Sequence, residues 1–343
     1  MKFIKAALLF SLTFIMLMSC KKEGPEGPAG PAGPTGPTTA VNPAIYGKWQ
    51  VTSGLPNTKY IILKSNNNIY RLDSAAYGFK SLLSDMALLT YTQINAFFVT
   101  YNYSITNNTL TLSNLNGTIV LTKNDNAPDE TEWVTTLNIT DSIASPTGGD
   151  GRQDIGFDGT DILWTSTSSS NILYKINPVT HAVTNFNLSS SYYYGCTNYS
   201  AGFLWISDGN TIDKVNATSG AVLSTSPVLS SIQITADALI GQDMWYCNWN
   251  GDVYTWNIST NVITPQFGLS VSGMEYTGGF LYLFHNHMIY KCQLSPFEAI
   301  TTYYIQSENV SGNNGGLTFD GANFWVVGYH NNTGEHKLYR LGI

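Results

Sequence analysis

The chain has 343 residues, a formal charge of −7, and 43% hydrophobic against only 11% charged residues. Acidic balance, with no Lys/Arg run beyond the N-terminus, excludes a nucleic-acid-binding face. A charged share far under the usual ~25% excludes an ordinary helical cytosolic composition; Asn, Ser, Thr, Gly and 21 Tyr fill the deficit, as in strands joined by many turns.

Lys2 and Lys5 precede an apolar stretch, Ala6 to Met18, which ends in Leu17-Met18-Ser19-Cys20. The stretch is shorter than the roughly 20 residues a membrane span needs and suits the core of a secretory signal. Its end resembles the lipobox of bacterial lipoproteins, with Leu three places before Cys and a small residue directly before it; Met18 departs from the usual Ala or Ser. The resemblance implies a signal peptide over 1–19 and a lipid, with acyl chains such as palmitate, on Cys20. Two or three chains anchor stably where one is marginal. Lys21, in place of the Asp of inner-membrane lipoproteins, implies the outer membrane. Lys21-Lys22-Glu23 resembles the short charged tags of surface lipoproteins, which favours the cell surface over the periplasmic face.

Residues 20–40 continue from the lipidated Cys into five Gly-X-Y triplets starting at Gly24, Gly27, Gly30, Gly33 and Gly36, each with Pro in the X position. This is the collagen pattern. As a polyproline-II spacer the triplets span roughly 45 Å. Five triplets without hydroxyproline make a marginal triple helix, so a monomer on a stalk is expected, with trimerisation through the stalk as the alternative.

A small β domain is expected over 44–125. Tyr46-Gly47-Lys48-Trp49 resembles the first strand of lipocalin-like domains, in which a Gly-x-Trp lays Trp across the barrel floor. Alternation over Thr100–Ser113 around Asn107-Asn108 reads as a hairpin, and Gly117–Lys123 as one more strand. Phe79 to Leu89 reads as a helix closing one end. About 80 residues are short for an eight-stranded calyx, so a small sandwich or an extra propeller blade are the alternatives. Residues 126–131 read as a linker.

From 132 to 343 a unit repeats. Leu163-Trp164, Leu204-Trp205, Met244-Trp245, Leu281-Tyr282 and Phe324-Trp325 recur about every 40 residues. Each follows an apolar anchor and a turn, twice Phe-Asp-Gly (157–159 and 319–321), where Gly supplies positive φ. The last unit stops after three strands, and 132–139 offers the missing fourth, closing a ring without a free edge. The expected fold is all-β: a five-bladed β-propeller preceded by the small lipocalin-like domain. The repeat resembles lactonase-like, lyase-like and NHL-type propellers, a likeness of fold from which function does not follow.

Candidate chemistry is sparse. The inner strands carry Asp154, Asp237 and Glu275 as candidate catalytic carboxylates, but a glycosidase needs two of them about 5–9.5 Å apart, and their offsets from the repeat anchors differ. His285, His287, His330 and His336, with Glu335, fall in neighbouring loops as candidate metal ligands. Asp150, Asp154, Asp158 and Asp161 form an acidic stretch that misses EF-hand spacing. Trp249 and Tyr192-Tyr193-Tyr194 fall outside the repeat pattern, so they are the candidate stacking platforms for sugar faces. Cys196, Cys247 and Cys292 read as buried small packing residues, with one disulfide as the alternative. The expectation is a membrane-anchored binding module without cofactor, meeting a glycan or an envelope protein. A propeller hydrolase, lyase or cyclase is the alternative.

Overall fold

The computed structural model describes residues 41–90, 92–146, 154–165, 170–192, 197–307, 310, 315–330 and 335–342. The signal segment, Cys20, the Gly-X-Y triplets, Asp150, Tyr193, Tyr194 and Cys196 lie outside the described residues. No helix among the described residues is long and apolar enough to cross a membrane.

Nine strands fill the first part: β1 (Gly47–Ser53), β2 (Thr58–Leu63), β3 (Asn68–Ser74), β4 (Lys80–Met86), β5 (Leu88–Leu89), β6 (Gln93–Ala96), β7 (Val99–Thr106), β8 (Thr109–Asn114) and β9 (Gly117–Lys123). They form one antiparallel sheet ordered β4-β3-β2-β1-β9-β8-β7-β6-β5. Only Ala87 separates β4 from β5, so this run behaves as one bent strand. Its first half pairs with β3 and its last residues with β6, which curls the sheet into a barrel-like ring. The helix expected over Phe79–Leu89 is therefore a strand. Its apolar positions mimic a helical period because they serve two layers: Leu82 packs outward against the second part of the chain, and Ala87 inward.

The shortage of residues is resolved by the turns. Phe97-Phe98, Asn107-Asn108 and Leu115-Asn116 each join strands in two residues, and Phe97, Phe98 and Asn107 adopt positive φ, which such tight hairpins require. Inside, Trp49 is fully buried, and its indole N–H donates to the Ile45 carbonyl at 2.8 Å. It thereby ties the short 3-10 turn Pro43–Ile45 across that end of the barrel.

The stretch expected to be a linker holds a helical turn, α1 (Glu130–Trp133), closed at its start by a capping box between Asp129 and Glu132. The strand expected over 132–139 consequently starts later, as β10 (Thr135–Ala144). Four-stranded antiparallel sheets follow. The first holds β11 (Gly156–Phe157), β12 (Ile162–Thr165), β13 (Ser170–Ile176) and β14 (Val183–Tyr192). The second holds β15 (Thr197–Ser200), β16 (Phe203–Asp208), β17 (Thr211–Asn216) and β18 (Val222–Thr225). The third holds β19 (Ile234–Ile240), β20 (Asp243–Asn248), β21 (Asp252–Asn257) and β22 (Ile263–Gly268).

The remaining strands are β23 (Gly273–Thr277), β24 (Phe280–His285), β25 (Met288–Leu294), β26 (Phe297–Ile305), β27 (Leu317–Phe319), β28 (Phe324–His330) and β29 (Glu335–Gly342). The upstream strand β10 lies antiparallel on β29, with Ile139 opposite Leu341. It also pairs in parallel with β26, Thr136 opposite Tyr304, which welds the last two repeats into one eight-stranded sheet. The first strands of the repeats pack side by side in the cycle β11, β15, β19, β23, β27 and back to β11. This is a propeller-like arrangement. The strands approach so closely that a Cβ on Gly273 would lie 2.5 Å from the Leu317 nitrogen.

The two parts share a core. Ile62, Leu72, Phe79 and Leu82 from outside the barrel pack with Met274, Leu283 and Tyr290 of the repeats. Trp133 of α1 is clamped between them: its indole N–H is shared by the carbonyls of Asp73 and Ser81, and its ring stands edge-on to Tyr60. Phe79 lies 4.8 Å from the Tyr290 ring and 5.5 Å from Phe267. Removing such a buried ring leaves a cavity that costs roughly 3–5 kcal/mol. Urea denaturation of Phe79→Ala is therefore expected to show a loss in that range.

Candidate functional site

Asp154 is the best connected side chain of the repeat region. Its Oδ1 accepts the N–H groups of Ile155 at 3.0 Å and Leu317 at 2.9 Å; its Oδ2 accepts those of Met274 at 2.8 Å and Asp237 at 3.3 Å. Its backbone carbonyl takes the Thr197 N–H at 3.1 Å. The donors lie in or beside β11, β27, β23, β19 and β15, so one residue binds the first strand of every sheet in the cycle. The carboxylate is 1% exposed. Burial, and after it the nearby Asp237 carboxyl, push its pKa well above the usual carboxylate range against the pull of the N–H donors. An ionised carboxylate offers about four lone-pair sites, and here all are used.

Asp237 contrasts with it. The residue is 0% exposed and neither carboxyl oxygen has a hydrogen-bond partner. Burial pushes it up to about 8. Glu275 is also raised, by burial, to about 7, against the pull of the Thr318 hydroxyl at 2.8 Å and of the Phe319 and Tyr276 N–H groups. The structure thus brings Asp154 and Asp237 together but encloses both, and Glu275 is held instead by β27. Neither aspartate is reachable by a substrate.

The other sequence candidates separate. Tyr192 is a buried core residue, not an exposed platform: its hydroxyl donates to Asp213 at 3.0 Å across adjacent sheets. Trp249 is 52% exposed in the turn after β20, as a strand-end ring should be. Among the described residues no group of three or more His, Cys, Asp or Glu is placed to hold a metal. His285 donates from Nδ1 to the Ser270 carbonyl at 2.7 Å, and His336 is buried; of His330 and Glu335 only the backbone pairing of β28 with β29 is described. Asp158 is engaged by the Thr160 and Asp161 N–H groups and by Lys175 at 3.0 Å. Cys247 and Cys292 are free and buried, with thiols raised by burial to about 11 and about 12, which leaves them unreactive.

One feature had no signal in the sequence. Along the seam between barrel and repeats run two hollows, of about 820 and 740 Å³, both lined by Leu82, Ser84, His287 and Tyr304. They form one groove. Each volume lies in the range of small-molecule sites, roughly 300–1,000 Å³, and such sites favour domain interfaces. Tyr77 stands at its edge, 47% exposed with φ +57°. The neighbouring Gly78 lets this turn lie against β26, since a Cβ there would be 2.9 Å from the Ala299 carbonyl oxygen. Phe267 backs the Tyr77 ring at 5.6 Å.

The sequence matches no family model and none of the curated proteins. Among solved structures, a glutaminyl cyclase of Myxococcus xanthus is similar with TM-score 0.46 and 8% identity, over 61% of this chain and 97% of that one. The WD40 domain of Toxoplasma gondii coronin gives 0.34 and 10% over 60% of each chain, and the computationally designed protein Ika8 gives 0.33 and 10% over 85% and 96%.

Two predictions follow from the carboxylates. Asp154→Ala strands N–H groups of three other inner strands, each costing about 1–3 kcal/mol; chemical denaturation should show a loss of at least ~3 kcal/mol, or no folded protein. Asp237, raised from 3.8 to about 8, holds a proton in the folded state that the unfolded chain releases. Its contribution to stability is therefore present below pH ~4 and declines as pH rises to about 8. Thermal melts across pH 4–9 should show Asp237→Asn gaining on the parent protein with rising pH; a constant difference would contradict the assignment.

Proposed function

We propose that the protein is a non-catalytic binding module held on the outer membrane by a lipid on Cys20, facing the cell surface. The Gly-X-Y segment from Gly24 is its stalk. The nine-stranded ring is a lipocalin-like barrel, and the repeats are a five-bladed propeller whose last blade is closed by β10. The observation that carries this reading is the state of the inner carboxylates: Asp154 is spent on backbone N–H groups, and Asp237 is sealed. A hydrolase, lyase or cyclase needs groups that touch its substrate, and these do not. A saturated β framework with a groove and exposed rings suits capture rather than turnover. The partner class is a glycan or a protein of the cell envelope.

The test is a screen of the purified full-length chain, in detergent, against oligosaccharides and envelope fractions, reading both retention and product release. Retention without product is expected. Product release that Glu275→Gln abolishes would overturn the reading in favour of an enzyme. Radiolabelled palmitate should enter the parent chain and be absent from Cys20→Ala.

A further inference from the structure

We propose that the groove between barrel and repeats is a site for a neutral oligosaccharide. The proposal rests on the binding-module reading and moves the site from the propeller's loop faces, where Trp249 lies, to the seam. Three observations carry it.

The first is shape. Two hollows that share Leu82, Ser84, His287 and Tyr304 make an elongated groove, not a single pit. An extended ligand of several units fits this shape better than a compact one.

The second is charge. Arg71 is paired to Asp73 at 3.0 Å, and Glu130 is bonded to Lys64. Asp85 accepts the N–H groups of Met86 and Phe97. His285 and His287 are held neutral by burial. The groove has no free cation among its described lining residues, which removes phosphorylated and uronic ligands from consideration. An uncharged ligand is left.

The third is the mixture of rings with small amides and hydroxyls in the lining. Tyr77, Phe267 and Tyr304 line the groove together with Asn286 and Ser84. Aromatic faces pack against the apolar C–H face of a sugar ring, and amide and hydroxyl groups bond its equatorial hydroxyls. His287 lies beside Tyr304, ring centroids 6.4 Å apart, at the point where the hollows meet. Its Nδ1 has no partner in the free protein.

The experiment titrates the full-length chain in detergent with cellohexaose, maltohexaose and mannohexaose, by calorimetry. Hexagalacturonate and an extended uncharged peptide serve as comparisons. At least one neutral hexasaccharide is expected to bind, with the comparisons inert. Tyr77→Ala, which removes a half-exposed ring, and Ser84→Trp, which fills the junction of the hollows, should each weaken that binding about tenfold or more without lowering the melting temperature. Trp249→Ala should leave it unchanged. If a hexasaccharide binds but only Trp249→Ala weakens it, the seam site is wrong and the binding-module reading survives. If binding belongs to hexagalacturonate or the peptide, the ligand class is wrong. If no probe binds, the seam proposal is overturned, whatever the envelope screen retains.

Discussion

The repeat region depends on one carboxylate. Asp154 accepts four backbone N–H groups, three of them from the first strands of other sheets, and its own carbonyl takes a fourth strand's N–H. Sheets arranged around an axis have a problem at that axis: their inner edges converge and expose donors that no ladder partner satisfies. Each orphaned donor costs about 1–3 kcal/mol. A single carboxyl group that accepts from several strands solves this at one point. It also fixes the angular position of those strands, because the oxygens of one carboxylate are rigidly spaced. Asp237 beside it is raised by the same enclosure, since burial disfavours the charged form of a carboxyl.

Much of this architecture was legible from residues alone. The apolar-aromatic pairs from Leu163-Trp164 to Phe324-Trp325 marked the second strands, and Asp158-Gly159 and Asp320-Gly321 marked tight turns with glycine at positive φ. A strand upstream of the repeats was legible too, and it pairs with both β26 and β29. Its start was misplaced by the helical turn at Glu130–Trp133, whose capping box is a signal that sequence carries: Asp129 with Glu132 three places on. The strand at Lys80–Met86 is hidden in the sequence for a physical reason. A residue pattern that must feed a barrel interior on one side and a second core on the other does not show the clean alternation of a half-solvated strand.

The sites were less legible. Asp154 occurs before one inner strand only, so no repeat announced it, and its partners are backbone groups from residues up to 163 positions away. Tyr192 looked like a member of an exposed trio, yet its hydroxyl joins two sheets through Asp213. The groove is the extreme case: its walls come from β3 and β4 on one side and from the segments around Phe267, His287 and Tyr304 on the other. A feature made by docking two bodies has no local sequence signature. What sequence does supply is the seam's glue, the aromatic residues Phe79, Trp133, Phe267 and Phe297, once their partners are known.

The central claim is that Asp154 pins the inner strands into one cooperative unit. Native-state hydrogen exchange at the amides of Asp237, Met274 and Leu317 tests it most directly. If the claim holds, all three exchange only through global unfolding, with equal free energies matching the denaturation value. Exchange of any one of them through a local opening well below that value would contradict it.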